Sequence, residues 1–378
     1  MGLNTEQRYR WIVILGMALG VLLFHGLALS VEGFDPRAEG IGHNSTLIER
    51  SYFHEYQVSA QPAETGRVVQ TSHKFHTDNH SVALWLGASQ LHTINRWNAG
   101  DELAVVIANK IAGESNARIR YVQLSAGNAN IGELLCLYIS VRAASFKPEW
   151  LIVAIVYDDF QEQGVRPEIL SIVNQRDLSQ LKMYGAGVKN MLDTLHADGA
   201  STTAPVVRNA TMDTPQEVLE ESLMNVLEVS WPAYSARHSL AAALKAAWTE
   251  MIVQGAFDIV DRPIVSIPKE QQLWNWEALN SLVSLAKADG VKILLYKQPH
   301  RPGEQRFYHD RNSYDQFHTD VQRLAIDCGL HYLDLESLVP QENWGITNAG
   351  LPDVFHFTSY GHRRLAQAIH EAISGEAQ

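Results

Sequence analysis

The sequence predicts an α/β protein in three layers: a central parallel sheet between helices, with a helical insertion and one N-terminal transmembrane helix. Three observations carry this reading. Apolar runs of strand length recur at 82–86, 150–156 and 291–296, and helix-periodic stretches separate them. No tight hairpin turn joins one run to the next, so the connections are crossovers, which implies parallel strands covered on both faces. The 378 residues are 46% hydrophobic, enough for a large core, and two distant cysteines, Cys136 and Cys328, are read as thiols rather than a disulfide. A net charge of −12 with no Lys/Arg cluster argues against a nucleic-acid partner.

In chain order, Trp11–Val31 is apolar for about twenty residues, long enough to cross a hydrocarbon core as a helix. Arg8 and Arg10 precede it and Glu32, Asp35 and Glu39 follow, which places residues beyond 31 on the outer side of the cytoplasmic membrane. A retained anchor is the expectation; the rival is a cleaved signal peptide with small residues at Ala28-Leu29-Ser30. Residues 32–80 read as a polar tether with a short helix near Thr46–Tyr56. Within it His73, His76 and His80, with Asp78, read as a solvated loop rather than a metal site. The globular domain is expected from 81 to 378.

Val82–Leu86 ends at Gly87, and Ser89 follows where the pattern turns polar and then helical. Helices are expected over Ser89–Trp97 and Asp101–Ala112, a strand over Arg118–Ser125, a helix over 131–145 and a strand over Trp150–Val156. From about 161 to 269 the pattern is mainly helical and reads as an insertion. Alternation then resumes with a helix over Gln271–Asp289, a strand over Val291–Tyr296, a helix over Tyr314–Cys328, a strand over Leu330–Leu335 and a last helix over Tyr360–Ile373.

Ser89 therefore stands at the carboxyl end of a buried strand, the edge where open α/β sheets do their chemistry. A serine needs a base to become a nucleophile, and Asp353-Val354-Phe355-His356, on an expected loop after Pro352, supplies an imidazole with a carboxylate three residues before it. Lys297 and Arg301, beside His300, follow another strand and are candidates to bind a phosphate or carboxylate; a solvated loop is the plainer reading. Trp274, Trp276 and Trp344 are candidates to stack on sugars, with packing as the default.

Gly87-Ala88-Ser89, Gly127-Asn128, Asp158 and Asp353-x-x-His356 fall in this order at expected strand ends or before the last helix. This ordered set resembles the SGNH (GDSL-type) hydrolase superfamily over roughly residues 82 to 375. The resemblance implies a flavodoxin-like three-layer sandwich, no cofactor and no metal, with Ser89 as nucleophile, His356 as general base and Asp353 as its orienter. It also implies an oxyanion hole built on the backbone N–H groups of Ser89 and Gly127.

The third block departs from the family, where an asparagine amide donates to the oxyanion; here that place is held by Asp158. An ionised carboxylate cannot donate. A protonated Asp158 is one resolution, and a substitute donor from Asn128, Asn130 or Gln90 is another. Ala88 replaces the first-block aspartate. Together with the N-terminal segment, the blocks are similar to the membrane-tethered proteins of the D-alanyl-lipoteichoic acid transfer type and to envelope-polysaccharide O-acetylation proteins. That resemblance implies acyl transfer to an envelope glycan or lipid-linked acceptor, beside a multispanning membrane-bound O-acyltransferase. A stand-alone esterase using water and a non-catalytic membrane scaffold are the competing expectations.

Overall fold

A computed structural model describes residues 51–91, 102–173, 266–302, 309–346 and 352–375, with backbone alone for 167–168, 346 and 352–355. The apolar segment 11–31 and most of the expected insertion lie outside the described residues. Among those described, no helix is long and apolar enough to cross a membrane.

The strands are β1 (Ser51–Phe53), β2 (Tyr56–Ala60), β3 (Ser81–Gly87), β4 (Ile119–Ser125), β5 (Trp150–Ile155), β6 (Lys292–Lys297) and β7 (His331–Asp334), in the spatial order β1-β2-β4-β3-β5-β6-β7. Every neighbouring pair is parallel except β1 with β2. The run β4-β3-β5-β6-β7 is a doubly wound order whose direction of winding reverses between β3 and β5. Their carboxyl ends thus diverge into connections on opposite sides and leave a crevice there. β3 and β5 sit at the centre because both faces are apolar: Leu84, Trp85, Leu86, Leu151, Ile152 and Val153 are all buried.

The helices are α1 (Thr65–Thr77), α2 (Ala104–Glu114), α3 (Ile131–Ala143), the single turn α4 (Pro167–Leu170), α5 (Lys269–Ala288), α6 (Arg311–Cys328) and α7 (Ser359–Ser374). α2 packs with α7 on one face, while α1, α3 and α5 occupy the other, where Trp276 of α5 also meets Phe317 of α6. Local chemistry sets several ends. Asn130 caps α3 by accepting from the Glu133 N–H, Asp310 caps α6 by accepting from Ser313, and Gly329 ends α6 at φ 63°.

Three expectations are corrected. Residues 51–80 are not a tether: β2 pairs with β4 and α1 buries Val68, Val69 and Phe75, so the folded body extends back to Ser51. No helix covers 51–56, where β1 and β2 form an antiparallel pair. Asp353–His356 is not a loop but part of strand β9 (Pro352–Phe357), paired antiparallel with β8 (Trp344–Ile346). Neither residue set shows the long apolar run that betrays a central strand: β1 is a three-residue edge strand, β2 alternates polar and apolar residues although it pairs on both sides, and β9 belongs to a two-stranded ribbon.

The free thiols also differ from one another. Cys136 is buried in α3, where burial pushes its pKa up, whereas Cys328 is partly exposed at the end of α6.

A Ser115–His370–Tyr121 chain, running from an exposed serine to a buried tyrosine, joins three elements on the α2 and α7 side. Tyr121 hydroxyl lies 2.9 Å from His370 Nδ1, and Ser115 Oγ lies 3.3 Å from His370 Nε2 while also donating to the Ile111 carbonyl. With the tyrosine donating to Nδ1, Nε2 carries the proton and cannot act as a base toward Ser115. This chain is a structural tie.

Candidate active site

Ser89 begins a 3₁₀ turn, Ser89–Leu91, directly after β3. The turn is pinned at three points. A Cβ on Gly87 would come within 2.6 Å of Leu91 Cδ1, so the absence of a side chain lets Leu91 fold back into the core. Gln123 of β4 donates to the Leu91 carbonyl at 3.3 Å, and Gln90 donates to the Pro299 carbonyl at 3.1 Å. The half-buried serine is held between the two halves of the sheet.

His356 comes from β9 and is 4% exposed. Its Nε2 lies 3.0 Å from Ser89 Oγ, although 267 residues separate them. At that distance an unprotonated Nε2 accepts the hydroxyl proton directly. α7 supports it from behind: a Cβ on Gly361 would fall 2.7 Å from Phe357 Cβ, so only glycine lets the helix press so closely on the strand carrying His356. Trp344 of β8 stands edge-on to Phe357 at 5.5 Å and gives its indole N–H to the Val339 carbonyl. It is therefore core rather than a sugar platform. The backbone of Asp353 lies on β9; its side chain lies outside the described residues.

The oxyanion expectations divide. Gly127 is half-buried and Asn128 exposed, in the turn after β4, with Asn128 at φ 51°. A Cβ on Gly127 would meet nothing within 4 Å, so its face of the turn is open. Asn130 and Gln90 are engaged elsewhere: Asn130 caps α3 and donates to the Gly164 carbonyl at 2.9 Å, while Gln90 reaches Pro299. Asp158 opens the turn after β5 and its Oδ2 lies 3.3 Å from His309 Nε2. The next residue, Asp159, has an Oδ2 with no hydrogen-bond partner among the described residues. Burial, then Asp158 and Glu162, pushes that carboxyl well above the usual range, so it is protonated where an ordinary carboxyl is not.

The expectation that Lys297 binds substrate is corrected. Its ammonium is buried, contacts the Glu336 carboxylate, lies 3.7 Å from Asp334 and sits over the Tyr314 ring at 4.9 Å. Arg301 gives one N–H to the Gly345 carbonyl at 3.1 Å and so fastens β8. Lys297, the last residue of β6, is held there by the α6 ring of Tyr314 together with Glu336. Trp276 likewise packs against Phe160 and Phe317, and Trp274 lies over Gly132.

His309 was missed in the sequence. The only local signal is the helix start immediately after it, Asp310-x-x-Ser313, which places it at the same edge of the sheet as Asp158. His300 and His318 lie nearby, and burial lowers both pKa values, His300 to about 4. Neither nitrogen of His318 has a hydrogen-bond partner among the described residues; after burial, Lys297, Arg311, His300 and His309 also disfavour its charged form.

A depressed histidine pKa leaves the unfolded chain binding a proton that the folded chain refuses, so stability falls as pH drops through about 6.5. His318→Phe is expected to remove about 2 kcal/mol of the loss between about pH 7 and pH 5. Urea midpoints at the two pH values check this; equal losses in both proteins would refute it.

No family model and no curated protein matches the chain. Solved structures with some likeness include a variant of an acetyl xylan esterase from Geobacillus stearothermophilus, 14% identical with a TM-score of 0.38, covering 78% of this chain and 95% of that one. Another is an alpha/beta hydrolase enzyme from the metagenome of Lake Arreo, Spain, 12% identical with a TM-score of 0.34 and the same two coverages. At these values the likeness fixes neither family nor activity. The chemical reading rests on the residues themselves.

Proposed function

We propose that this protein is a serine-dependent esterase or O-acyltransferase acting on ester-linked acyl groups outside the cytoplasmic membrane. The observation that carries the reading is the 3.0 Å approach of His356 Nε2 to Ser89 Oγ at the point where the sheet's winding reverses. His356 takes the serine proton as Oγ bonds to the acyl carbon. Charge on the carbonyl oxygen is received by the Ser89 and Gly127 N–H groups, and the proton passes to the departing alcohol oxygen as the ester bond breaks. Asp353 orients the imidazole. A second hydroxyl, from water or from an acceptor, then takes the acyl group by the reverse steps.

The finer reading is acyl transfer to an envelope glycan or lipid-linked acceptor. The resemblance to membrane-tethered acylation proteins and the apolar segment 11–31 support it, with a multispanning O-acyltransferase as the expected partner. The full chain, solubilised in detergent, is expected to take one fluorophosphonate label, on the peptide carrying Ser89. A label elsewhere, or none, overturns the nucleophile. Product partition with and without an added sugar acceptor separates transfer from hydrolysis, and mass spectrometry of membrane-purified complexes identifies the partner.

A further inference from the structure

Asp158 occupies a position where a negative charge works against the reaction proposed for Ser89. β3 and β5 are parallel neighbours, so the turns that open at Ser89 and at Asp158, just past their carboxyl ends, lie at the same edge of the sheet. An acyl carbonyl attacked by Ser89 develops negative charge on its oxygen, and a nearby carboxylate raises the energy of that state.

The structure sets an imidazole against this carboxylate. His309 is buried, its Nε2 is 3.3 Å from Asp158 Oδ2, and its ring is fixed on two sides. Tyr157 stands against it at 86° with centroids 4.9 Å apart, and Tyr314 stacks on it at 10° and 5.8 Å. Two aromatic walls hold the imidazole in one plane, so its N–H is aimed rather than free to swing.

We propose that His309 is a positioning residue for the acyl chemistry: its imidazole N–H donates to the Asp158 carboxylate, and that hydrogen bond holds the carboxylate and draws on its negative charge. The pair then stands where the family resemblance leads one to expect a neutral amide. This inference rests on the reading of Ser89 as nucleophile. It adds to that reading a requirement for compensation between two residues on separate elements, one after β5 and one before α6.

The rate of fluorophosphonate labelling at Ser89 tests it, because attack on phosphorus also places charge on an oxygen. In the detergent-solubilised full chain, His309→Ala is expected to slow labelling by about tenfold or more, since an uncompensated charge then faces the reaction. Adding Asp158→Asn to His309→Ala is expected to restore the native rate or exceed it. A residue that only supports the fold does not produce that rescue. His309→Ala labelling at the native rate, or a double variant as slow as His309→Ala, overturns the proposal.

If thermal melting shows that His309→Ala does not fold, Asp158→Asn alone decides. Labelling at or above the native rate supports the pair, and a slower rate defeats it. A native chain that takes no label at Ser89 defeats the nucleophile reading itself. A labelled native chain with an unaffected His309→Ala variant defeats only the role of His309.

Discussion

Ser89→Ala abolishes the burst of alcohol released when the protein meets an activated acetyl ester such as 4-nitrophenyl acetate, while its melting curve stays close to native. The half-buried hydroxyl sits at the start of a turn held by Leu91, Gln123 and Gln90, none of which depends on Oγ. Its removal therefore takes away the attacking atom without loosening the frame. The loss in kcat is expected to reach about 10⁶-fold where attack by Oγ limits turnover, because removing the nucleophile of a serine hydrolase costs about as much as removing its whole triad. His356→Ala is expected to lose a similar factor, and the double variant scarcely more, since the two groups act as one unit. Additive losses would show that Ser89 and His356 do not work together, whatever their 3.0 Å separation.

Glu336→Ala is expected to destabilise the fold by about 3 kcal/mol, the usual range for stripping one partner from a buried ion pair. Lys297 is only 4% exposed and would keep Asp334, itself 3.7 Å away and largely solvated, and the face of Tyr314. Burial by itself would raise the Glu336 pKa, yet its hydrogen bonds with Lys297 and Arg311 hold it below the ordinary value. The pair is therefore coupled in the folded state. Combining Lys297→Met with Glu336→Ala removes the stranded ammonium and is expected to recover most of the loss. Denaturant midpoints of the native chain and both variants check this, and a double variant no more stable than Glu336→Ala would mean that Lys297 is not the group left exposed to the cost.

What could be read from order along the chain was whatever has a local physical cause. The apolar runs that became β3, β5 and β6 must be buried on both faces, and each is long enough to show it. Helices α3, α5, α6 and α7 begin and end within a few residues of their expected limits, since periodicity and caps act over a turn or two. β1 and β2 escaped because they are three and five residues long, and β2 buries Gln57 and Ser59 as fully as its apolar residues. Polarity there gives no hint of burial; pairing with β4 does.

Residue order alone carries an alternating parallel-sheet domain, an apolar N-terminal segment, and a serine just past one central strand with a histidine ahead of the closing helix. That Lys297 answers to Glu336, that His309 meets Asp158, and that His356 reaches Ser89 from a strand of its own emerges once the layers are packed together. Backbone preferences are settled over a few residues, so they leave a periodic trace. The meeting of two side chains depends on how whole layers pack, and that relation has no period to read.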